Sequence, residues 1–182
     1  MAQGEALVLR GPNGSGKTSF LRLVAGLLRL DAGDLTWCGS DVSDDPETWR
    51  ASLCFVGHLD GIKPLFTVAE NVAFWARLAG ATEFRVGEAL DRFGISALSD
   101  VPARFLSAGQ RRRVGLARLV AAPAPVWLLD EPTVSLDAES VANLAGVMKE
   151  HRAAGGLVIA ATHAELNLDD AKTLSLGHRE TV

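Results

Sequence analysis

The sequence predicts a single α/β domain, residues 1–182, organised around a parallel sheet. Three continuous apolar runs have the composition of strands buried on both faces: 6–9, 126–129 and 157–161. Segments with helical spacing of apolar residues lie between them, and this alternation is typical of parallel sheets with crossover helices. A chain of 182 residues can build one domain with a substantial core but is too short for two ordinary domains.

The first strand leads into a glycine-rich loop with the pattern G-x-x-x-x-G-K-S/T: Gly11-Pro12-Asn13-Gly14-Ser15-Gly16-Lys17-Thr18. Such a loop binds phosphate because its glycines let successive backbone N–H groups approach the oxygens closely. An amphipathic helix is predicted from Thr18 to Leu28, and its N-terminus also favours an anion. The alternative, a glycine-rich turn without a ligand, is disfavoured by the strand and helix on either side.

Three side chains of this loop have expected roles at a nucleotide. Lys17 should reach the β- and γ-phosphates as a point charge, and the Thr18 hydroxyl should ligate Mg²⁺. Ser15 offers a second hydroxyl. The loop therefore predicts nucleotide binding.

The next part of the chain contains a turn at 31–34, a short strand at 35–38 and a polar, acidic loop at 40–47. A further strand, 52–56, leads into the segment 57–61, whose glycines predict a functional loop rather than a tight hairpin. Thr67 and Glu70 have the spacing of a capping box, which predicts the start of a helix. The apolar face of that helix is predicted to comprise Val68, Val72, Trp75 and Leu78.

A second helix is predicted at 83–93, ended by Gly94, and a further helix at 138–154. Between Thr67 and about Arg118 we find helical patterns without strong strand signals, flanked by α/β segments. We therefore predict a helical subdomain of about 67–118 inserted into the fold.

Two carboxylates follow the strand 126–129 at its C-terminal end, the edge at which open parallel sheets bind ligands. Asp130 is expected to hold Mg²⁺, and Glu131 is expected to orient and deprotonate an attacking water. The alternative is that Asp130-Glu131-Pro132 only solvates the strand end. The upstream phosphate loop favours the catalytic interpretation.

Composition excludes several classes of protein. With 18 Lys and Arg against 22 Asp and Glu, the net charge of −4 gives no basic excess for binding nucleic acid or an anionic membrane. We find no apolar run long enough to span a bilayer and no signal-peptide pattern. Cys38 and Cys54 match no metal or redox motif and are expected to be reduced core thiols of a cytosolic protein.

Five motifs occur in the order found in the ATP-binding-cassette (ABC) ATPases, which the sequence resembles over nearly its whole length. They are the phosphate loop 11–18, Leu106-Ser107-Ala108-Gly109-Gln110, Leu129-Asp130-Glu131-Pro132-Thr133, Ser135-Leu136-Asp137 and Ala161-Thr162-His163. The resemblance implies a P-loop NTPase fold, with an ABC-type nucleotide-binding domain that contains the inserted helical subdomain. It also implies ATP and Mg²⁺ as ligands.

The segment 106–110 differs from the usual L-S-G-G-Q of the family by Ala108. The resemblance implies that Ser107, Gly109 and Gln110 contact ATP across a dimer interface. Without the resemblance, the spacing of Ser107 and Gln110 indicates a capping box, and residues 111–118 indicate a helix whose arginines form a solvated face. Asp137 alone indicates a helix N-cap, and the resemblance adds a second contact across the dimer.

His163 matches the switch histidine of the family, which contacts the γ-phosphate and helps Glu131 to position the water. Because each motif occurs once, the resemblance implies that a second chain completes the site, most simply in a homodimer.

His58 stands where ABC ATPases usually have a glutamine. The segment 56–63, followed by Thr67, Glu70 and Asn71, resembles the ATP-binding subunits of the haem exporters of cytochrome c maturation, with G-H-x-x-G-I-K and T-x-x-E-N motifs. This implies an ATPase at the cytoplasmic face of the inner membrane that powers integral membrane subunits and binds no nucleic acid. We assign His58 to coupling with them.

Three alternatives remain open at this point: the ATPase subunit of another ABC exporter, a soluble ABC protein that acts on nucleic acid or ribosomes, and a nucleotide-binding subunit that does not hydrolyse. The sequence does not identify the transported molecule, since the cargo path would lie in other chains.

The start of the sequence departs from the family. Domains of this family usually have additional strands upstream, with an aromatic residue that stacks on adenine, whereas ten residues precede Gly11 here and none is aromatic. We therefore expect the N-terminal strands to be missing. Loss of such stacking would weaken ATP binding by roughly ten- to hundredfold.

Overall fold

Five parallel strands form the sheet that carries the candidate site, and a two-stranded ribbon lies apart from it. The computed structural model describes residues 1–81, 83–166 and 168–177, so residues 178–182 of the predicted domain lie outside it. The strands are β1 (Ala6–Arg10), β2 (Thr36–Trp37), β3 (Ser40–Asp41), β4 (Leu53–Val56), β5 (Val126–Asp130), β6 (Leu157–Ala161) and β7 (Lys172–Ser175). The sheet has the order β4-β5-β6-β1-β7, and β2 pairs with β3 in the antiparallel ribbon.

Six α-helices accompany these strands in the described residues: α1 (Lys17–Val24), α2 (Pro46–Ala51), α3 (Val68–Leu78), α4 (Glu83–Arg92), α5 (Ala108–Ala121) and α6 (Ala138–Ala153). Helices α3, α4 and α5 pack on one another and occupy the chain between β4 and β5. The predicted capping box begins α3, because Glu70 N donates to Thr67 Oγ1 at 3.1 Å and Thr67 N donates to a Glu70 carboxylate oxygen at 2.8 Å.

Side chains of β5 alternate between two apolar clusters, which explains why its sequence is continuously apolar. Val126 and Leu128 join the cluster that contains Leu21 of α1. Trp127 and Leu129 join the larger cluster on the opposite face, with residues of α3 to α6. All five residues of β5 are buried, as are those of β6. The α/β prediction and its buried strands are therefore confirmed.

Several predicted boundaries were wrong. Helix α1 ends at Val24 rather than at Leu28, because Gly26 has a φ of 67° and turns the chain. The predicted loop 40–47 contains β3 and the start of α2, whose N-cap Asp45 accepts from Thr48 N at 3.1 Å. Leu78 is 71% exposed, so it does not belong to the buried face of α3.

The sequence analysis also missed β7, which pairs with β1 at the sheet edge. Within the described ranges, each helix is too short or too polar to cross a bilayer.

Candidate active site

The phosphate loop connects the end of β1 to the start of α1. Gly14 and Gly16 have φ values of 82° and 96°, in the left-handed region that favours glycine. A Cβ on Gly11 would collide with the carbonyl oxygen of Leu176 and with the Ser15 hydroxyl. Ser15 Oγ is buried and has no hydrogen-bond partner among the described residues. A bound phosphate oxygen would give this hydroxyl an acceptor, so the loop fits the group that its sequence predicts.

Lys17 is held over this loop. Its side chain is buried, and Nζ donates to Gly11 O at 2.7 Å and to Pro12 O at 3.0 Å. Nζ also lies 3.2 Å from His163 Nε2. The positive charge is therefore fixed beside the backbone that would surround a phosphate.

Thr18 and Asp130 converge from α1 and β5. Thr18 Oγ1 lies 3.1 and 3.0 Å from the two carboxylate oxygens of Asp130, which is only 2% exposed. These hard oxygen donors suit Mg²⁺, which proteins usually hold through one or two side chains, substrate phosphates and water. No group of three or more His, Cys, Asp or Glu that could hold a metal occurs in the described parts of the chain. The residues therefore fit Mg²⁺ shared with phosphate, rather than a metal enclosed by protein.

Glu131 and His163 face each other at the ends of β5 and β6. His163 N donates to Glu131 Oε2 at 3.4 Å, and His163 Nε2 lies 3.7 Å from Glu131 Oε1. Nε2 is also 3.0 Å from Asn13 Oδ1. This nitrogen accepts from Lys17 or donates to Asn13, according to the tautomer of the ring. A carboxylate, an imidazole and an ammonium therefore meet at one edge of the sheet.

The remaining predicted contacts lie elsewhere. Gln110 N donates to Ser107 Oγ at 3.2 Å and Ser107 N donates to Gln110 Oε1 at 2.8 Å, so both residues cap α5. Asp137 caps α6 by accepting from Ser140 N at 2.8 Å, and this bonding lowers the pKa of its carboxyl group. Among the described residues, no hydrogen bond or ion pair joins 106–110 or Asp137 to the phosphate loop. A single chain therefore brings together only some of the predicted nucleotide-binding residues.

The backbone at Ser135 passes so close to position 109 that a glycine is required there, whereas the neighbouring Ala108 is exposed. A Cβ on Gly109 would lie 2.7 Å from Ser135 O. We expect Gly109→Ala to lower the free energy of unfolding by about 1–3 kcal/mol, the usual cost of overpacking. The control Ala108→Gly should cost no more than about 1 kcal/mol, from helix propensity. Urea unfolding measures both, and equal costs would contradict the close approach.

Arginines of α5 are the functional candidates that the sequence analysis missed. Its interpretation of 111–118 as a solvated arginine face was wrong for Arg112 and Arg118, each 4% exposed. Arg112 Nη2 donates to Asp130 O at 3.0 Å and to Glu131 O at 2.8 Å. Burial lowers the pKa of the Arg118 guanidinium, which stacks 4.4 Å from the ring centroid of Trp75. Helix α5 is buried continuously from Val114 to Leu119, so this part of it lies in the core and not on a solvated face.

His58 is exposed, and within the described part of the chain it makes no hydrogen bond. Its loop is attached to the site through Asp60 instead, whose carboxylate pairs with Arg112 at 2.8 Å.

The chain is similar to known proteins in both sequence and fold. The sequence model of the ABC transporter family matches residues 1–134. The chain is 55% identical to the cytochrome c biogenesis ATP-binding export protein CcmA of Rhodospirillum rubrum, over 98% of this chain and 76% of that protein. It is 51% identical to the CcmA protein of Paramagnetospirillum magneticum, over 97% of this chain and 83% of that protein.

A solved structure with a similar fold is a dimeric, post-hydrolysis state of the ATP-binding cassette MJ0796 bound to ADP and Pi. It is 27% identical to this chain, with a TM-score of 0.80 over 89% of this chain and 76% of that one. The fold is also that of the ATP-binding subunit of an ABC transporter, with a TM-score of 0.86 over 96% of this chain and 75% of that one at 23% identity.

Proposed function

Since the chain belongs to the ABC transporter family, we propose that it hydrolyses ATP to power the export complex of cytochrome c biogenesis. The observation that carries the proposal is the convergence of Lys17, Thr18, Asp130, Glu131 and His163 at one sheet edge. The identity to two CcmA proteins supports the particular export system. The resemblance of the segment 56–63 to haem exporters makes haem delivery the step that it serves.

Each of these residues has a definite task in hydrolysis. The backbone N–H groups of the phosphate loop and Lys17 hold the β- and γ-phosphates. Thr18 and Asp130 would hold Mg²⁺, which would neutralise the charge that develops on the phosphate oxygens. Glu131 takes a proton from water as the water oxygen bonds to the γ-phosphorus and the bond to the ADP oxygen breaks. His163 orients the γ-phosphate and the water.

We also propose that a second copy of the chain completes each site. Ser107 and Gln110 cap α5 and Asp137 caps α6, away from the phosphate loop of their own chain, and Gly109 lies in the first turn of α5. A helix N-terminus presents backbone N–H groups that suit a phosphate, here the γ-phosphate of a partner's ATP. One similar cassette, MJ0796, is dimeric in two solved structures, which supports this arrangement.

The membrane subunits are proposed to bind the loop that carries His58 and the helical subdomain, about 67–118. Exposed apolar side chains cluster in sequence here: Leu59 is 85% exposed and Leu65 is 76% exposed. Patches of exposed apolar residues mark protein contacts, and these two leucines would contribute to one. Such a contact would hold the chain peripherally at the cytoplasmic face of the inner membrane.

Affinity purification from solubilised membranes tests this function. We expect the full chain to retain integral membrane subunits, and Leu59→Asp to lose most of them because it places a charge in the contact. The matched control Leu27→Asp changes a residue that is 61% exposed just after α1 and should retain them. Retention by Leu59→Asp, or recovery of ribosomes in place of membrane proteins, would contradict the proposal.

A further inference from the structure

Arg112 of α5 joins two loops that are distant in sequence. Its Nη1 donates to Gly57 O at 2.9 Å and to Asp60 Oδ1 at 2.8 Å. Its other donors reach the turn after β5, with Nη2 on Asp130 O and Glu131 O and Nε on Pro132 O at 3.2 Å. A guanidinium has five N–H groups, and these five hydrogen bonds use all of them. One planar group therefore connects the loop of His58 to the peptide of Glu131.

The rest of α5 is shaped to receive this loop. Arg118 Nη2 donates to Asp60 O, so the side chain and the carbonyl of Asp60 are held by two arginines. Between them Gly115 leaves room, because a Cβ there would lie 3.1 Å from Asp60 Oδ1. Residues three positions apart share a helix face. Asp60 is thus docked on the face formed by Arg112, Gly115 and Arg118.

Glu131, at one end of the connection made by Arg112, has a strained backbone conformation. Glu131 has a φ of 47°, in the left-handed region that a residue with a side chain adopts only when its surroundings fix it. Its N donates to Ala161 O at 2.8 Å, and its carbonyl accepts from Arg112 at 2.8 Å and from Val134 N at 3.2 Å. These contacts fix both ends of the residue, and Arg112 is the one that extends to another loop.

Burial makes the link sensitive to displacement. Arg112 is almost completely buried, so a donor that loses its acceptor there cannot readily bond to water. The two nitrogens Nη1 and Nη2 keep a constant separation in a rigid plane. A shift of the loop 57–60 must therefore break the Asp60 pair or move the Glu131 carbonyl.

We propose that Arg112 is a positioning residue that transmits the position of the loop 57–60 to the carboxylate of Glu131. The inference rests on the proposed role of Glu131 as the base, and it adds the route by which a partner bound at the His58 loop changes the rate of hydrolysis. The exposed His58 has no comparable connection among the described residues.

The test measures ATP hydrolysis by the full chain with Arg112→Lys, Asp60→Ala and both changes together. Lysine keeps the charge but cannot satisfy five acceptors, so we expect kcat to fall about ten- to hundredfold, as for small misplacements of a catalytic group. KM for ATP should stay within about twofold, because no phosphate contact changes. The double variant should be no slower than the slower single variant, since both changes break one link.

Arg152→Lys is the matched control, since Arg152 also joins distant carbonyls, Gly4 O at 2.8 Å and Asp169 O at 2.9 Å. It should lower thermal stability and leave kcat unchanged. An unchanged kcat in folded Arg112→Lys, or losses that multiply in the double variant, would overturn the proposal. If Arg112→Lys does not fold, Asp60→Ala decides, since it leaves α5 intact. Hydrolysis that survives Glu131→Gln would instead refute the proposed role of Glu131 as the base, and no hydrolysis by the unmodified chain would refute the proposed function.

Discussion

Replacing Glu131 with glutamine is expected to stop ATP hydrolysis and leave ATP binding intact. Glutamine has nearly the same shape, and its amide oxygen can still accept from His163 N, as the carboxylate does at 3.4 Å. An amide cannot accept the proton of the attacking water, however. General-base catalysis contributes about 10²- to 10⁴-fold, so kcat should fall by that factor. Phosphate release at saturating ATP measures it.

The same variant should accumulate an ATP-bound dimer. If hydrolysis is what opens the dimer, blocking it at Glu131 makes the closed state long-lived, and light scattering in ATP and Mg²⁺ would detect twice the mass. Glu165→Gln is the control, because Glu165 is an exposed carboxylate two residues beyond His163 and should behave as the unmodified chain. A Glu131→Gln chain that hydrolyses at more than about half the normal rate would rule out Glu131 as the base.

Local patterns predicted the buried strands and the polar side chains that follow them. The burial of β5 and β6 on both faces requires continuous apolar runs, and these are visible without a structure. The phosphate loop is likewise a local motif, so Lys17 and Thr18 were identified from spacing alone. Their proximity to Asp130 follows once β5 is known to end beside α1.

Features that depend on distant partners were not predictable in this way. Strand β7 is exposed at all four residues and forms because its backbone pairs with β1, for example Lys172 with Leu7. Arg112 looks like a surface charge until its acceptors are known, and Gly57 is 55 positions away. The start of α2 is a different case, because Asp45 followed by Pro46 is a local helix signal that was missed.

Mixing two inactive variants is expected to restore hydrolysis if each site is shared between chains. Lys17→Ala removes the ammonium group at the phosphate loop. Because hydrogen bonds to charged groups contribute about 1.5–3 kcal/mol each, ATP binding should weaken at least tenfold. Ser107→Arg places a large side chain at the exposed start of α5 and loses the cap, at a cost of about 1 kcal/mol. Each variant alone should therefore form two defective sites in its homodimer.

A mixed dimer distributes these defects unequally. One site combines the altered phosphate loop with the altered Ser107 segment, and the other site receives two unaltered halves. When the subunits of a symmetric dimer exchange at random, about half of the dimers contain one chain of each variant. Each of these mixed dimers has one intact site out of two. If the sites act independently, about a quarter of the normal rate should therefore return. Phosphate release against the mixing ratio measures this, with a maximum near equal amounts.

A second mixture separates this result from simple mutual stabilisation. Lys17 and Glu131 belong to the same chain's half of a site, as their shared contacts with His163 require. Lys17→Ala mixed with Glu131→Gln leaves every site of the mixed dimer defective, so this mixture should stay inactive. Recovery in both mixtures, or in neither, would contradict a site completed by Ser107 of the second chain. If hydrolysis recovers in the first mixture alone, each chain must bind phosphate through its own phosphate loop and complete its partner's site through its Ser107 segment.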